Sequence, residues 1–362
     1  MRIKRFLLIA LVAMLFIPIP ARAGYIDTNG LENALPGDIQ SRLDGISPSG
    51  VDVQKGGKGL LDSALTAFRA YLKDSMAAGF LILALCVVIS LAAGFAKSAG
   101  LSVPDKVIDI TAVCAILIIC LSSTGSVITE CKDAIKNIDT FSSILIPAFG
   151  IATAVAGKPV TAVASAGVTL VFTKVLISLA LGLFIPAIYL YITSSAAGAM
   201  SDNSLLNKVA GFIKWLTTAF FRVFLTVFTV YLSMSGIISG SADAVAVKTA
   251  QVTISGAVPV VGGIISGISE SLLAGAGALR SSIGIYGLLA SVTICLAPFV
   301  RVLCHLLIFK LLAAFSGAFA GGGAAKVLDG ISDAYSVALG LLGTCCAVQF
   351  ISIVVSMVVS NT

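Results

Sequence analysis

Residues 75–96 read SMAAGFLILALCVVISLAAGFA, an unbroken uncharged stretch between Asp74 and Lys97. A helix needs about 20 mostly apolar residues to cross the roughly 30 Å hydrocarbon core of a bilayer, so this stretch is a complete span. Working outward, comparable windows fall at about 108–128, 175–200, 223–242, 281–300 and 335–359, with a less regular one at 303–325 that contains His305 and Lys310. The pattern predicts an all-α, polytopic helical membrane protein of about seven spans, and up to about nine if every apolar stretch crosses. Composition agrees, with 58% hydrophobic and 11% charged residues and a mean hydropathy of +1.08, against about 25% charged residues in a soluble domain.

Two regions resist simple counting. Residues 141–173 are apolar but interrupted by Pro147 and Lys158-Pro159, and read either as two short crossings or as a re-entrant hairpin. Residues 249–269 are uncharged and long enough to cross, yet contain Gly256, Pro259, Gly262, Gly263 and Gly267. Lipid does not tolerate irregular backbone at membrane depth unless protein or enclosed water covers it. A broken or re-entrant segment at a protein interface is the reading adopted here, with a loop lying at the membrane surface as the alternative.

The N-terminus is organised differently. Arg2, Lys4 and Arg5 precede the apolar run Phe6 to Ile17, followed by Pro18, Pro20 and Ala21-Arg22-Ala23. That is the layout of a secretory signal peptide over 1–23, with Ala21 and Ala23 at the recognition positions and Gly24 opening the mature chain; a retained anchor is the alternative. Of 23 basic residues, removing Arg2, Lys4, Arg5 and Arg22 leaves 19 against 17 acids, so the net charge of +6 is mostly a targeting device and gives no support to a nucleic-acid partner. Residues 24–74 then form a short extracytoplasmic segment, broken by Pro36-Gly37, Ser47-Pro48-Ser49-Gly50 and Gly56-Gly57. From Leu60 a helical stripe through Leu65, Phe68 and Leu72 leads into the transmembrane domain, 75–362.

With residue 24 outside, loops carrying Lys97 and Lys106, Lys208 and Lys214, and Arg301 and Lys310 fall in the cytoplasm. Those around Glu130, Asp133 and Asp139, and around Asp329 and Asp333, fall outside, a weak positive-inside bias. An odd number of crossings places the C-terminus in the cytoplasm. Asp202 to Arg222 is amphipathic, with Leu205, Val209, Phe212 and Leu216 on one side, Lys208, Lys214 and Arg222 on the other, and Trp215 beside them. It suits either the headgroup plane or an elbow between spans.

Glycines four apart, at Gly236 and Gly240, Gly263 and Gly267, and Gly317 and Gly321, give three small-residue faces on which helix backbones approach closely in lipid. Whether each face packs inside the subunit or against a partner is open at this level. Asp109, Lys158, Lys174 and Lys310 are the candidate intramembrane charges, a class that is expensive in lipid and often functional.

Catalytic chemistry finds no footing. His305 is the sole histidine, so HExxH is impossible and any triad would need this one imidazole. The eight cysteines include no CxxC and read as small hydrophobes. Gly157-Lys158 is followed by Pro159, which breaks a phosphate-binding loop and removes a backbone donor. The sequence predicts no enzyme, no cofactor, no metal and no energy source within this chain.

The C-terminal half carries Lys248-Thr249-Ala250, Gly256, Pro259-Val260-Val261-Gly262, Ser282-Ile283-Gly284-Ile285 and, over 301–314, RVLCHLLIFKLLAA. In order and spacing these resemble the stage III sporulation protein AE family, most clearly over 223–360 and more loosely over 76–222. The resemblance implies a membrane subunit of the channel or export complex linking mother cell and forespore, in the mother-cell-derived membrane around the forespore. It also implies partners: other stage III membrane subunits, a cytoplasmic secretion-type ATPase and ring proteins between the two membranes. A stand-alone secondary transporter or ion-coupled permease is the alternative, which inverted repeats and midplane carboxylates would favour.

Overall fold

A computed structural model describes residues 35–42, 53–100, 104–155, 159–201, 204–257, 262–319 and 322–358, with the side-chain surroundings of 232–282 outside that description. Every regular element among them is helical: α1 Gly37–Arg42, α2 Val53–Ser98, α3 Asp105–Val155, α4 Pro159–Leu179, a π-helical turn Ala180–Phe184, α5 Ile185–Ser201, α6 Ser204–Ala257, α7 Gly262–Phe319 and α8 Gly322–Val358. Among the described residues six helical stretches are long and apolar enough to cross a membrane: Asp62–Ala96, Lys106–Ala154, Ala166–Ser201, Leu205–Tyr231, Ile283–Gly317 and Gly322–Val354.

The helices are longer than the apolar windows suggest. The stripe from Leu60 and the span 76–96 belong to one helix, α2, which runs through Gly56 and Gly57 rather than breaking there. Windows 108–128 and 141–155 are one helix of 51 residues with Pro147 inside it. Windows 281–300 and 303–325 fall largely on α7, 58 residues long with Pro298 inside. A proline removes one ladder bond and crowds the carbonyl four residues back, but packing holds both helices across it: Leu145 and Phe149 flank Pro147 in the core, and Ile294 and Val302 flank Pro298. At 1.5 Å per residue these helices are about 70 to 90 Å long, more than twice the hydrocarbon thickness, so part of each lies beyond it.

Helix ends have local causes. Beyond α2 the Ala99 N–H donates to the Phe95 carbonyl at 2.9 Å, and Gly100 turns the chain at φ 73°, a left-handed conformation that glycine adopts without strain. Pro104 then leads into α3, its carbonyl accepting from Val107 N–H at 2.9 Å. Between α4 and α5 the Ile185 N–H donates to the Ala180 carbonyl, a five-residue bond that sets up Pro186, which has no N–H to continue the ladder.

The bundle has two ends. At one, α2 stops, α3 starts, α5 passes to α6 and α7 passes to α8: Gly323 lies beside Val113, Asp109 and Ala199. Toward the other, Gly287 of α7 meets Leu145 of α3 and Ile353 of α8. Helix α8 is the hub, packing on α3, α5, α6 and most broadly on α7. Tyr286, Tyr335, Phe141, Phe228 and Phe309 are the largest fully buried side chains, and Phe172 pins α4 to α6 through Phe224, Phe228 and Tyr231 at centroid distances of 5.4–5.8 Å. A disulfide joins Cys295 to Cys346 and ties α7 to α8; the other six cysteines are free, all but Cys114 buried.

The described long helices alternate in direction, so α8 ends on the side of the bundle from which α2 starts, and windows 281–300 and 303–325, read as two spans from the sequence, fall largely on one helix, α7.

Candidate functional site: two polar clusters between the helices

The charges expected in loops sit on helices and pair across them. Glu130, Asp133, Lys136 and Asp139 lie midway along α3, and Arg301, His305 and Lys310 midway along α7. Arg301 and His305, four apart, share one helix face, while Lys310 lies on the opposite side of α7; Glu130 and Asp139 likewise face different neighbours, Arg301 and Lys174, and Asp133 pairs with Lys136 on the exposed side of α3.

The first cluster joins α2, α3, α7 and α8. Arg301 Nη1 pairs with Glu130 Oε2, and Nη2 donates to Ser126 Oγ at 3.1 Å. The Tyr71 hydroxyl donates to Glu130 Oε1 at 3.3 Å, and the Arg301 guanidinium stands over the Tyr71 ring at 5.6 Å. One turn on, His305 is 2% exposed, with Nδ1 3.0 Å from both Ser75 Oγ and the Arg301 carbonyl. A carbonyl only accepts, so the proton of that bond sits on Nδ1 and Ser75 Oγ shares it. The imidazole packs against Phe309 and Tyr335, and Tyr335 Oη is 2.8 Å from Thr124 Oγ1. His305 is thus an interior residue. Arg301 Nε is buried without a partner.

The second cluster joins α5, α6, α7 and α8. Lys310 Nζ lies 2.5 Å from Asp329 Oδ1 and 3.7 Å from Asp333 Oδ1. Lys214 Nζ lies 2.7 Å from Asp333 Oδ2, to which the Tyr191 hydroxyl also donates at 3.3 Å. Lys214 therefore turns toward α8, while Leu205, Val209, Phe212, Trp215 and Leu216 of α6 face outward. The amphipathic stretch is the first part of a continuous long helix.

Other expected site residues are scattered. Lys174 pairs with Asp139 at 2.6 Å, and Asp109 is half-buried near Gly323. Lys158, Ala21, Ala23, Gly24, Pro259 and Gly321 lie outside the described residues. Gly236, Gly240 and Gly256 are helical in α6, and Gly262, Gly263 and Gly267 in α7, with side-chain surroundings outside the description. Helix α6 ends at Ala257 and α7 begins at Gly262, so one helix terminates inside 249–269.

Gly317 has room for a methyl, its nearest neighbour being Ala325 Cβ at 3.7 Å. The tight approaches occur elsewhere: a Cβ on Gly79 would fall 2.8 Å from Ile308 Cγ2, and one on Gly287 would fall 3.0 Å from Leu145. Gly198 against Asn207 and Gly330 against Ser195 are closer still. None of these four has a glycine partner four residues away, which is why a four-residue spacing does not find them.

Among the described residues no group of three or more His, Cys, Asp or Glu is placed to hold a metal. The clusters are instead helix-to-helix polar contacts between oppositely charged groups, and comparison with known proteins says what kind of bundle they belong to. The sequence profile of the stage III sporulation protein AE family matches residues 49–360.

The chain belongs to that family. It is 24% identical over 296 residues, 81% of this chain and 73% of the relative, to the stage III sporulation protein AE of Bacillus subtilis (strain 168). No solved structure matches it. The match spans both polar clusters and all six candidate spans, so the protein is a multi-pass membrane member of this sporulation family.

Proposed function

We propose that this protein is a non-enzymatic subunit of a membrane channel or export complex that connects mother cell and forespore and is needed for forespore development. It works in the mother-cell-derived membrane, with other stage III subunits, a cytoplasmic secretion-type ATPase and intermembrane ring proteins as partners. The observation that carries this reading is the family match over 49–360.

The test is purification of the tagged full chain from membranes of sporulating cells. The ATPase and ring proteins are expected to co-purify, and Gly263→Leu or Gly267→Leu should lose them and lower spore yield while membrane abundance holds. A chain that purifies alone from cells it supports, and moves a solute by itself in proteoliposomes, is a transporter and overturns the reading.

A further inference from the structure

We infer that the Lys214–Lys310–Asp329–Asp333 cluster faces water inside the membrane, at the inner end of a hydrated groove between α7 and α8. The depth of the cluster follows from four helices independently. Tyr191 precedes the end of α5, and Lys310 the end of α7, by about ten residues; Lys214 follows the start of α6, and Asp333 the start of α8, by about as many. At 1.5 Å per residue that is about 15 Å from the same end of the bundle, half the hydrocarbon thickness.

Apolar exposure shows that this end lies in the bilayer. Phe95 at the end of α2 is 74% exposed, and Val107 at the start of α3 is exposed as well. Around the cluster, Phe315 of α7 and Val209 of α6 stand nearer the end, while Leu307 of α7 and Val223 of α6 stand farther in, all exposed. Lipid-facing surface therefore brackets the charges on both sides.

Yet the Lys310 and Asp329 side chains are 55% and 51% exposed. Ionisable groups at that depth face protein or a water-filled cavity, and Asp329, seven residues into α8, stands about 10 Å from the bundle end, farther than an aspartate side chain reaches. The way from the cluster to the bundle end is lined by small side chains. On the Lys310 face of α7 the residues between the cluster and the bundle end are Ala314 and Gly317, both small and exposed. Opposite them α8 presents Gly322, Ala325 and Lys326, with Ala325 Cβ 3.7 Å from where a Gly317 Cβ would stand.

The test is cysteine labelling of the full chain in broken-cell membranes with a charged, membrane-impermeant maleimide, in a parent with free cysteines replaced by alanine that still supports sporulation. Reaction needs water, because the thiolate is the nucleophile, so Lys310→Cys, Ala314→Cys and Asp329→Cys should label on the order of tenfold faster than Leu307→Cys, Leu311→Cys and Phe315→Cys. Equal labelling of both sets places the cluster at headgroup level, and no labelling of the first set places it in lipid or dry protein; either overturns the inference. The native chain gives a second reading without substitution: a sulfonated succinimidyl ester should acylate Lys310, as read by mass spectrometry, and an unmodified Lys310 beside a modified Lys326 counts against the groove. Neither measurement depends on which complex the protein serves, so the groove and the channel reading fail separately.

Discussion

At the scale of single residues, the Arg301–Glu130 pair decides how α2, α3 and α7 meet. Its side chains are 20% and 26% exposed, so each loses much of its hydration and relies on the other. Truncating one leaves the partner buried and uncompensated, whereas replacing both removes the demand. Arg301→Met and Glu130→Gln should each destabilise the protein in detergent, with a coupling of about 1–3 kcal/mol in the double-mutant cycle; additive effects on thermal unfolding would show that the pair contributes little. Tyr335→Phe should cost about 1 kcal/mol, because Thr124 Oγ1 loses its partner in a buried seam. Thermal unfolding at the parent's midpoint would contradict that. Sequence marked Lys310 and Lys174 as charges to examine, since each stands in an apolar neighbourhood. It did not mark Glu130, Arg301, Asp329 or Asp333, which looked like loop residues beside apolar windows that end near them.

At the scale of elements, close approach is the property to predict. A methyl on Gly79 meets Ile308 Cγ2 at 2.8 Å, and Cγ2 is attached to the branched Cβ and has little room to move. Gly79→Ala should therefore destabilise the α2–α7 contact by about 1–3 kcal/mol. Gly317→Ala adds a methyl at ordinary contact distance and gains helix propensity of up to about 1 kcal/mol, so it should be neutral or stabilising. Melting temperatures of the two variants side by side decide this, and a larger loss at Gly317 would invert the assignment. Glycine spacing does not find Gly79, because two glycines per helix face are one route to close packing and a single glycine opposite a branched side chain is another. The helix boundaries were misjudged for a related reason: proline lowers helix preference locally, but Leu145, Phe149, Ile294 and Val302 bury enough surface around Pro147 and Pro298 to carry α3 and α7 through.

At the scale of the whole molecule, the six candidate spans among the described residues predict that the two ends of the bundle lie on the same side of the membrane. Reporter fusions after Ser49 and after Val358 should show activity on the same side of the membrane, and opposite sides would restore an odd count. The apolar windows by themselves determined that this chain is helical and multi-pass, because hydrocarbon leaves the backbone no hydrogen-bond partner except itself and only a closed ladder satisfies that demand. Only the tertiary structure decided how many windows share one helix, which glycines let helices touch, and that Arg301 belongs with Glu130 and Lys310 with Asp329. Periodicity reports which side of a helix is polar, but a polar side is equally consistent with water, headgroups or any oppositely charged neighbour. The choice among them is made where distant stretches of chain come to lie at the same depth.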